Sequence, residues 1–446
     1  MRIHFIAIGG AAMHNLAIAL DKNGYEVSGS DDEIKEPSLS KLRSSGLLPE
    51  VIGWDPQKIN QSLDAIILGM HARADNPELI KAQELGLKIY SYPEFIYEQS
   101  KDKIRVVIGG SHGKTTITAM ILHVLKSSSK KFDYMVGSKL EGYDTMVKLS
   151  NEAKYIILEG DEYLSSPIDK RPKFHLYKAH IGLISGIAWD HINVFPTFEE
   201  YVTQFRVFIQ TIMNNGALVY FENDTILNNL VSESNDSIDK IPYKTPTYKV
   251  ENGITYLQHD GKNYSLRVFG EHNLQNIEAA RCICLQLGIK SDQFYKSIST
   301  FGGAARRMEM ILDTSKFKII RDFAHSPSKV EATVKAVKSQ FSSWNVIACM
   351  ELHTFSSLNM TFLNEYENSL DNSDLAVVYY NPKTIEHKKL VEISTKDVKK
   401  AFNREDLKVY SESSDFQFFI NNLDRENTIL LMMSSGTFDD IQLSPK

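Results

Sequence analysis

One run constrains this chain more than any other stretch of it: Gly109-Gly110-Ser111-His112-Gly113-Lys114-Thr115-Thr116. It follows the apolar segment Ile104 to Ile108 and precedes the helix-like segment Thr116 to Leu125. Strand, glycine turn and helix in that order open an α/β unit. The turn aims backbone N–H groups and the positive end of a helix dipole at one point, which makes a phosphate cradle. Gly110, Ser111, His112, Gly113 and Thr116 would line it. Lys114 would reach the terminal phosphates, and the Thr115 hydroxyl would ligate Mg²⁺. The usual phosphate-loop pattern has glycine five residues before Gly113, and Ile108 stands there.

A chain of 446 residues is too long for one core. It divides into three α/β blocks, 1–103, 104–304 and 305–446, with Lys101-Asp102-Lys103 as a polar hinge after the first. Hydrophobic content of 42% and charged content of 24% are those of a soluble globular protein. No apolar run reaches bilayer length, and Met1-Arg2-Ile3-His4-Phe5 leads directly into a strand. The expectation is a cytoplasmic protein with no signal peptide and no membrane insertion. Of three cysteines, Cys282 and Cys284 share a predicted helix on different faces and read as packing residues. A net charge of −6 argues against a nucleic-acid surface, so an anionic substrate would need local basic clusters.

The first block opens with a strand, Ile3 to Ile8, then Gly9-Gly10-Ala11-Ala12-Met13 and a helical run Asn15 to Asp21. A second strand, Glu26 to Ser30, ends at Asp31, an acidic residue placed to take a ribose hydroxyl. The glycine spacing is not the dinucleotide fingerprint. In the central block, strand Tyr155 to Leu158 ends in Glu159-Gly160-Asp161-Glu162, and strand Ile181 to Ser185 leads to Gly186-Ile187-Ala188-Trp189-Asp190-His191. Two neighbouring strands ending this way put Glu159 and His191 at the sheet edge that holds the phosphate loop, as candidate Mg²⁺ ligands beside Thr115. Histidine is an atypical ligand for Mg²⁺, and Asp190-His191 also reads as a hydrogen-bonded loop pair. Strand segments Gly216 to Phe221, Ile254 to His259 and Tyr264 to Phe269 continue the block. Asn273 and Asn276 then share one helical face, able either to read adenine or to cap the helix. In the third block Arg307 reads as a surface charge, and Asp322 to His325 as a strand-ending turn after Phe317 to Ile320. Strands Asn345 to Met350, Leu375 to Tyr380 and Thr428 to Met433 alternate with helices, which implies a mostly parallel sheet.

These motifs, in this order, resemble the Mur ligases, ATP-dependent amide-bond-forming enzymes of cell-wall synthesis, over essentially the whole chain. Gly-Ser-His-Gly-Lys-Thr-Thr resembles their ATP loop, and Gly-x-His-Asn-x-x-Asn-x-x-Ala their adenine signature at Asn273 and Asn276. The resemblance implies a Rossmann-like UDP-binding domain, a central P-loop ATPase-like domain and a C-terminal Rossmann-like domain. It implies that Gly9, Gly10, Ala11, Ala12, Met13 and Asp31 hold a UDP-sugar. His71-Ala72 and the segment to Glu78 would border the uracil; Asn76-Pro77-Glu78 equally reads as a plain helix start. It implies Glu159 and His191 on magnesium, Arg307 on the γ-phosphate, and Asp322 and His325 by the ATP ribose and phosphates.

The chain departs from the family at Ala12 and His14, usually small or glycine, and at Gly186 and Ala188, usually Asn and Glu. Phe205 stands where several members place a carbamylated lysine; the two muramate-acting branches do without it. The wording around Asp169 to Phe174, Ala304 to Glu309 and Glu351 to Ser356 resembles the branch that recycles cell-wall peptide. That implies joining L-Ala-γ-D-Glu-meso-diaminopimelate to UDP-N-acetylmuramate through an acyl phosphate. The alternatives are the L-alanine-adding branch and a UDP-sugar- or nucleotide-binding regulator without ligation. The turn Ser434 to Phe438 would bind the incoming amine, with Arg321 and His353 as candidate contacts by position only. Neither the acceptor's identity nor the oligomeric state is read from these motifs.

Overall fold

The computed structural model describes residues 1–189, 194–234, 237–251, 253–304 and 307–443. The chain divides into two compact units. The first comprises Met1–Ile187, Phe198–Tyr243 and Ala279–Lys290; the second comprises Ala188–Thr197, Lys244–Glu278 and Ser291–Lys446.

The first unit carries two sheets. Strands β1 (Arg2–Ile6), β2 (Glu26–Ser30), β3 (Ala65–Leu68) and β4 (Ile89–Ser91) form a parallel sheet in the order β2-β1-β3-β4. β1 ends at Ile6 and not at Ile8 because the chain curls: Ala7 takes φ 68°, and the Ala7 and Ile8 amides both donate to the Ser30 carbonyl. The helix that follows spans Ala11–Lys22, four residues earlier at its start than the apolar pattern alone indicates.

The central sheet comprises β5 (Ile104–Gly109), β6 (Phe132–Met135), β7 (Val147–Lys148), β8 (Tyr155–Glu159), β9 (Ile181–Ile184), β10 (Ala217–Phe221) and β11 (Asp239–Tyr243). Its order is β11-β10-β9-β5-β8-β6-β7, parallel except for β7. Both faces of β5 are covered, so apart from Arg105 its residues are apolar without alternation. β8 and β9 each pair with β5, and so flank the phosphate-loop strand instead of neighbouring each other as the sequence suggested. Phe174, Phe205 and Phe208 form one aromatic core, with Phe174 stacked on Phe208 at 4.8 Å and set edge-on to Phe205 at 5.6 Å.

Lys101-Asp102-Lys103 is not a hinge. Lys103 is buried, its ammonium 3.1 Å from Asp133 Oδ2 and 3.2 Å from the Ala153 carbonyl. The Arg105 guanidinium donates to the carbonyls of Ser100, Lys101 and Lys103, which ties the linker down. The Ala11–Lys22 helix is bonded to the central sheet's edge segment: Asn15 Oδ1 accepts the Met146 amide at 3.0 Å, and Asn23 Nδ2 donates to the Leu149 carbonyl at 3.0 Å.

In the second unit, β12 (Tyr248–Glu251), β13 (Ile254–His259) and β14 (Lys262–Ser265) make an antiparallel sheet of their own, and β14 stops short of the expected Phe269. The larger sheet, β15 (Glu309–Asp313), β16 (Phe317–Asp322), β17 (Asn345–Leu352), β18 (Leu375–Tyr380), β19 (Lys408–Tyr410) and β20 (Thr428–Met433), runs β15-β16-β20-β17-β18-β19. It is parallel except for β15, an edge strand. Val334 and Val337 of the Pro327–Gln340 helix pack on one face, and Phe416 and Ile420 of the Ser413–Asn421 helix on the other. Cys282 and Cys284 lie buried in the Glu271–Gln286 helix, and neither forms a disulfide among the described residues.

Candidate active site

β5 delivers the chain into the turn that begins the Lys114–Ser127 helix. Gly110 and Gly113 take φ of +118° and +75°, which only glycine adopts without strain. A Cβ on Gly110 would lie 2.2 Å from Ser185 Oγ, so the turn admits no side chain there. The Ser185 hydroxyl in turn donates to the His112 carbonyl, and the Ser111 amide donates to the Gly186 carbonyl at 3.0 Å.

The Lys114 ammonium donates to the Gly110 carbonyl at 2.7 Å and to Glu162 Oε2 at 2.6 Å. Burial alone would lower its pKa; the carboxylates of Glu162, Asp161 and Glu159 outweigh that and hold it above the ordinary lysine value. Glu162 is almost wholly buried, and its other oxygen accepts the Tyr201 hydroxyl at 3.1 Å. Tyr201, from the Phe198–Gln210 helix, lies 2.9 Å from Ser111 Oγ. The Thr115 hydroxyl donates to Glu159 Oε1 at 2.7 Å, and Glu159 Oε2 accepts the Gly137 amide at 2.8 Å. Thr115 and Glu159 thus gather as expected, and their hard oxygens fit Mg²⁺. Among the described residues no three His, Cys, Asp or Glu side chains form a metal cluster. His191, together with Asp190, lies outside the described residues.

Two departures have structural reasons. Gly186 takes φ +137°, a conformation an Asn would strain to reach, and the next amide, that of Ile187, is held by Asp224 Oδ2 at 2.6 Å. Phe205 is fully buried in the aromatic core, 5.2 Å from the Tyr201 ring.

In the first sheet, Gly9 lies against Asp31: its amide donates to Asp31 Oδ2 at 2.7 Å, and a Cβ on Gly9 would come within 2.8 Å of that oxygen. Asp31 therefore braces the glycine turn with one oxygen; burial raises its pKa against the pull of the Gly9 and Glu33 amides. Gly10 precedes the helix that Ala11, Ala12 and Met13 begin. His14 is accommodated by burial: Nδ1 donates to the Gly10 carbonyl at 2.9 Å, and Nε2 lies 2.8 Å from Asn15 Nδ2. Burial pushes its pKa down. Beyond β3, His71 is exposed and Ala72 buried. Asn76 caps the Pro77–Glu84 helix, accepting the Glu78 and Leu79 amides, so Asn76-Pro77-Glu78 is a helix start.

In the second unit, Asn273 and Asn276 are buried near the start of the Glu271–Gln286 helix. Asn273 does not cap: its Nδ2 donates to the Phe269 carbonyl at 2.8 Å. A cavity of about 350 Å³ opens at the start of this helix, lined by Gly270, His272 and Gln275 and by Ser328, Glu331 and Lys335, but not by Asn273 or Asn276. Asp322 is a brace here. Its carboxylate accepts the Met308 amide at 2.7 Å and the Ala324 amide at 2.8 Å. Met308 sits at φ 51°, and the preceding Arg307 lays its guanidinium over the Phe323 ring at 4.7 Å. His325 Nδ1 donates to the Phe323 carbonyl at 2.7 Å. Arg321 pairs with Glu309 across β15 and β16, at 2.9 Å.

The turn after β20 is anchored by buried Glu351, which takes the Ser434 hydroxyl and the Phe438 amide (2.9 Å) on one oxygen. His353 Nδ1 stands 3.6 Å from its other oxygen. Glu162, Tyr201 and Glu351 were given no role from sequence. Glu162 and Glu351 lie within quoted motifs, whereas Tyr201 carries no local signal.

Comparison with known proteins bears on this site. The Mur ligase middle domain matches residues 108–284, and the Mur ligase family catalytic domain matches residues 2–103. The UDP-N-acetylmuramate–L-alanine ligase of Caldicellulosiruptor bescii is 31% identical over 387 residues, 84% of this chain and 82% of the relative. A UDP-N-acetylmuramate–alanine ligase of Thermotoga maritima superposes with TM-score 0.72 at 21% identity, over 99% of this chain and 97% of that one. A murein peptide ligase of Psychrobacter arcticus superposes with TM-score 0.64 at 21% identity, over the same shares.

Proposed function

The chain belongs to the Mur ligase family of ATP-dependent, ADP-forming amide ligases of peptidoglycan metabolism, and we propose that it joins UDP-N-acetylmuramate to the cell-wall tripeptide L-Ala-γ-D-Glu-meso-diaminopimelate. The observation that carries the ligase reading is the phosphate loop with Lys114 on one side and the Thr115–Glu159 oxygen pair on the other. The tripeptide rests on the motif wording around Asp169, Arg307 and Glu351. L-alanine is the second reading, favoured by the names of the sequence relatives.

The reaction proposed has two steps. The muramyl carboxylate oxygen takes the γ-phosphoryl group of ATP and releases ADP, since a free carboxylate is a poor acylating agent. The acceptor amine then attacks the acyl carbon, and phosphate leaves. Lys114 and Arg307 carry the positive charge that phosphoryl transfer demands. Thr115 and Glu159, with His191, would hold Mg²⁺, which neutralises phosphate charge when bound. Asn273 and Asn276 would serve adenine, and Asp322 with His325 the ribose side, Asp322 acting by bracing the chain beside Arg307. The glycine turn Gly9 to Met13, with Asp31, would take the UDP pyrophosphate at a helix N-terminus, and His71-Ala72 would border the uracil. We assign these tasks to domains 1–103, 104–304 and 305–446, in a cytoplasmic protein. No described helix is long and apolar enough to cross a membrane.

The test is phosphate release from ATP with UDP-N-acetylmuramate and Mg²⁺, comparing tripeptide with L-alanine as acceptor. Release with the tripeptide alone supports the proposal. Release with alanine moves the chain to the alanine-adding step. Silence with both, alongside UDP-sugar binding, would indicate a regulator.

A further inference from the structure

We propose that Tyr201 and Glu162 are positioning residues for Lys114, and that the Tyr201 hydroxyl, 90 residues beyond Ser111 in the sequence, presets the loop for ATP. This rests on the ATP-ligase reading above. The four side chains close a chain of hydrogen bonds. Ser111 Oγ lies 2.9 Å from the Tyr201 hydroxyl, which donates to Glu162 Oε1 at 3.1 Å. Lys114 donates to Glu162 Oε2 at 2.6 Å and back to the loop at the Gly110 carbonyl at 2.7 Å. The elements so linked are the phosphate loop, the segment after β8 and the Phe198–Gln210 helix.

The chemistry of each member fixes its part. Glu162 is 1% exposed, and an ionised carboxylate there requires partners on both oxygens. Tyr201 is fully buried, and its ring meets the Phe205 ring edge-on at 5.2 Å, so its hydroxyl has one place to be. The hydroxyl therefore orients Glu162, and Glu162 orients Lys114. A lysine otherwise samples many rotamers, at a cost in entropy when a ligand must fix it. Here the ammonium waits at the loop, and its charge passes from Glu162 to the incoming phosphates. Other charges facing it are Glu159, bonded to Thr115, and Asp161, bonded to Lys173 at 2.6 Å.

The experiment compares wild type with Tyr201→Phe, Glu162→Gln and the double variant. Steady-state kinetics would be paired with equilibrium titration by a fluorescent ATP analogue. Tyr201→Phe keeps the ring, so kcat/KM for ATP should fall roughly tenfold while the melting temperature stays close to wild type. In Glu162→Gln, where Lys114 loses its carboxylate partner, KM for ATP and the dissociation constant of the analogue should rise several-fold while kcat moves less. The double variant should lose much less than the product of the single losses, since both act through one chain of bonds. Unchanged kcat/KM and unchanged analogue affinity in the single variants of an active enzyme would overturn the inference alone. A wild type silent with every acceptor would remove the ligase reading instead; the titrations then decide, and equal nucleotide affinity in all four proteins would overturn the inference as well. Should Tyr201→Phe fail to fold, the KM and analogue affinity of Glu162→Gln carry the test.

Discussion

Lys114 stands where three carboxylates converge, and replacing it tests the ligase reading most directly. Lys114→Ala should lower ATP-dependent phosphate release by about 10²–10³-fold or more, the scale of losing one preorganised charge at a transferring group. Because the folded pKa of Lys114 is raised, its ion pair is fully present below the ordinary lysine range and is lost only as pH rises through the higher folded value. Turnover should accordingly show no acid limb from this residue. Thr115→Ala or Glu159→Gln should raise the Mg²⁺ concentration needed for half-maximal rate; an unchanged metal titration would take the pair out of the site. His14 runs the opposite way. Its folded pKa is lowered, so the stability linked to it is present above the ordinary histidine range and lost as pH falls through the folded value. Unfolding followed from neutral to mildly acidic pH should show that loss, and it should shrink in His14→Asn.

Among the elements, the strands that hold the site were the most legible in sequence. β2, β13, β18 and β20 have the bounds read for them from sequence. The glycine turn after β5 also announces itself, since its φ angles and tight approach to Ser185 demand glycine. β15 was not visible, because its apolar run is only Met310 to Leu312, and Met310 and Ile311 lie exposed on an edge strand. Nor was the strand order: β8 and β9 both show a charged end, and only pairing reveals that β5 lies between them. Braces were hidden for a similar reason. Asp322 and Asp31 look like ligand-facing acids in sequence, and each spends oxygens on backbone amides that a linear reading cannot see. Phe205, which stands where several members place a lysine, is core. Phe205→Ala should cost about 3–5 kcal/mol, measured by denaturant unfolding, as expected for deleting a buried aromatic ring. A loss below about 1 kcal/mol would mean the Phe174–Phe205–Phe208 cluster is not structural.

At the scale of the molecule, the first compact unit holds the sugar-binding block of the sequence together with most of the nucleotide-binding block, whose residues 188–197, 244–278 and 291–304 fall in the second unit. The Ala11–Lys22 helix offers its N-terminus to one proposed substrate and its Asn15 side chain to the edge of the nucleotide sheet. Asn15→Ala should therefore weaken UDP-sugar and ATP binding together, each read by separate titration; a change in only one would show that the contact is local. The linker carries this further. Arg105 grips the carbonyls at 100, 101 and 103, while Lys103 is buried beside Asp133. The seam most inviting to anyone dissecting the gene is thus riveted from its far side. A fragment begun at Ile104 would keep the rivet and throw away the plate, and a fragment ended at Lys103 would carry a buried cation with no carboxylate to meet it.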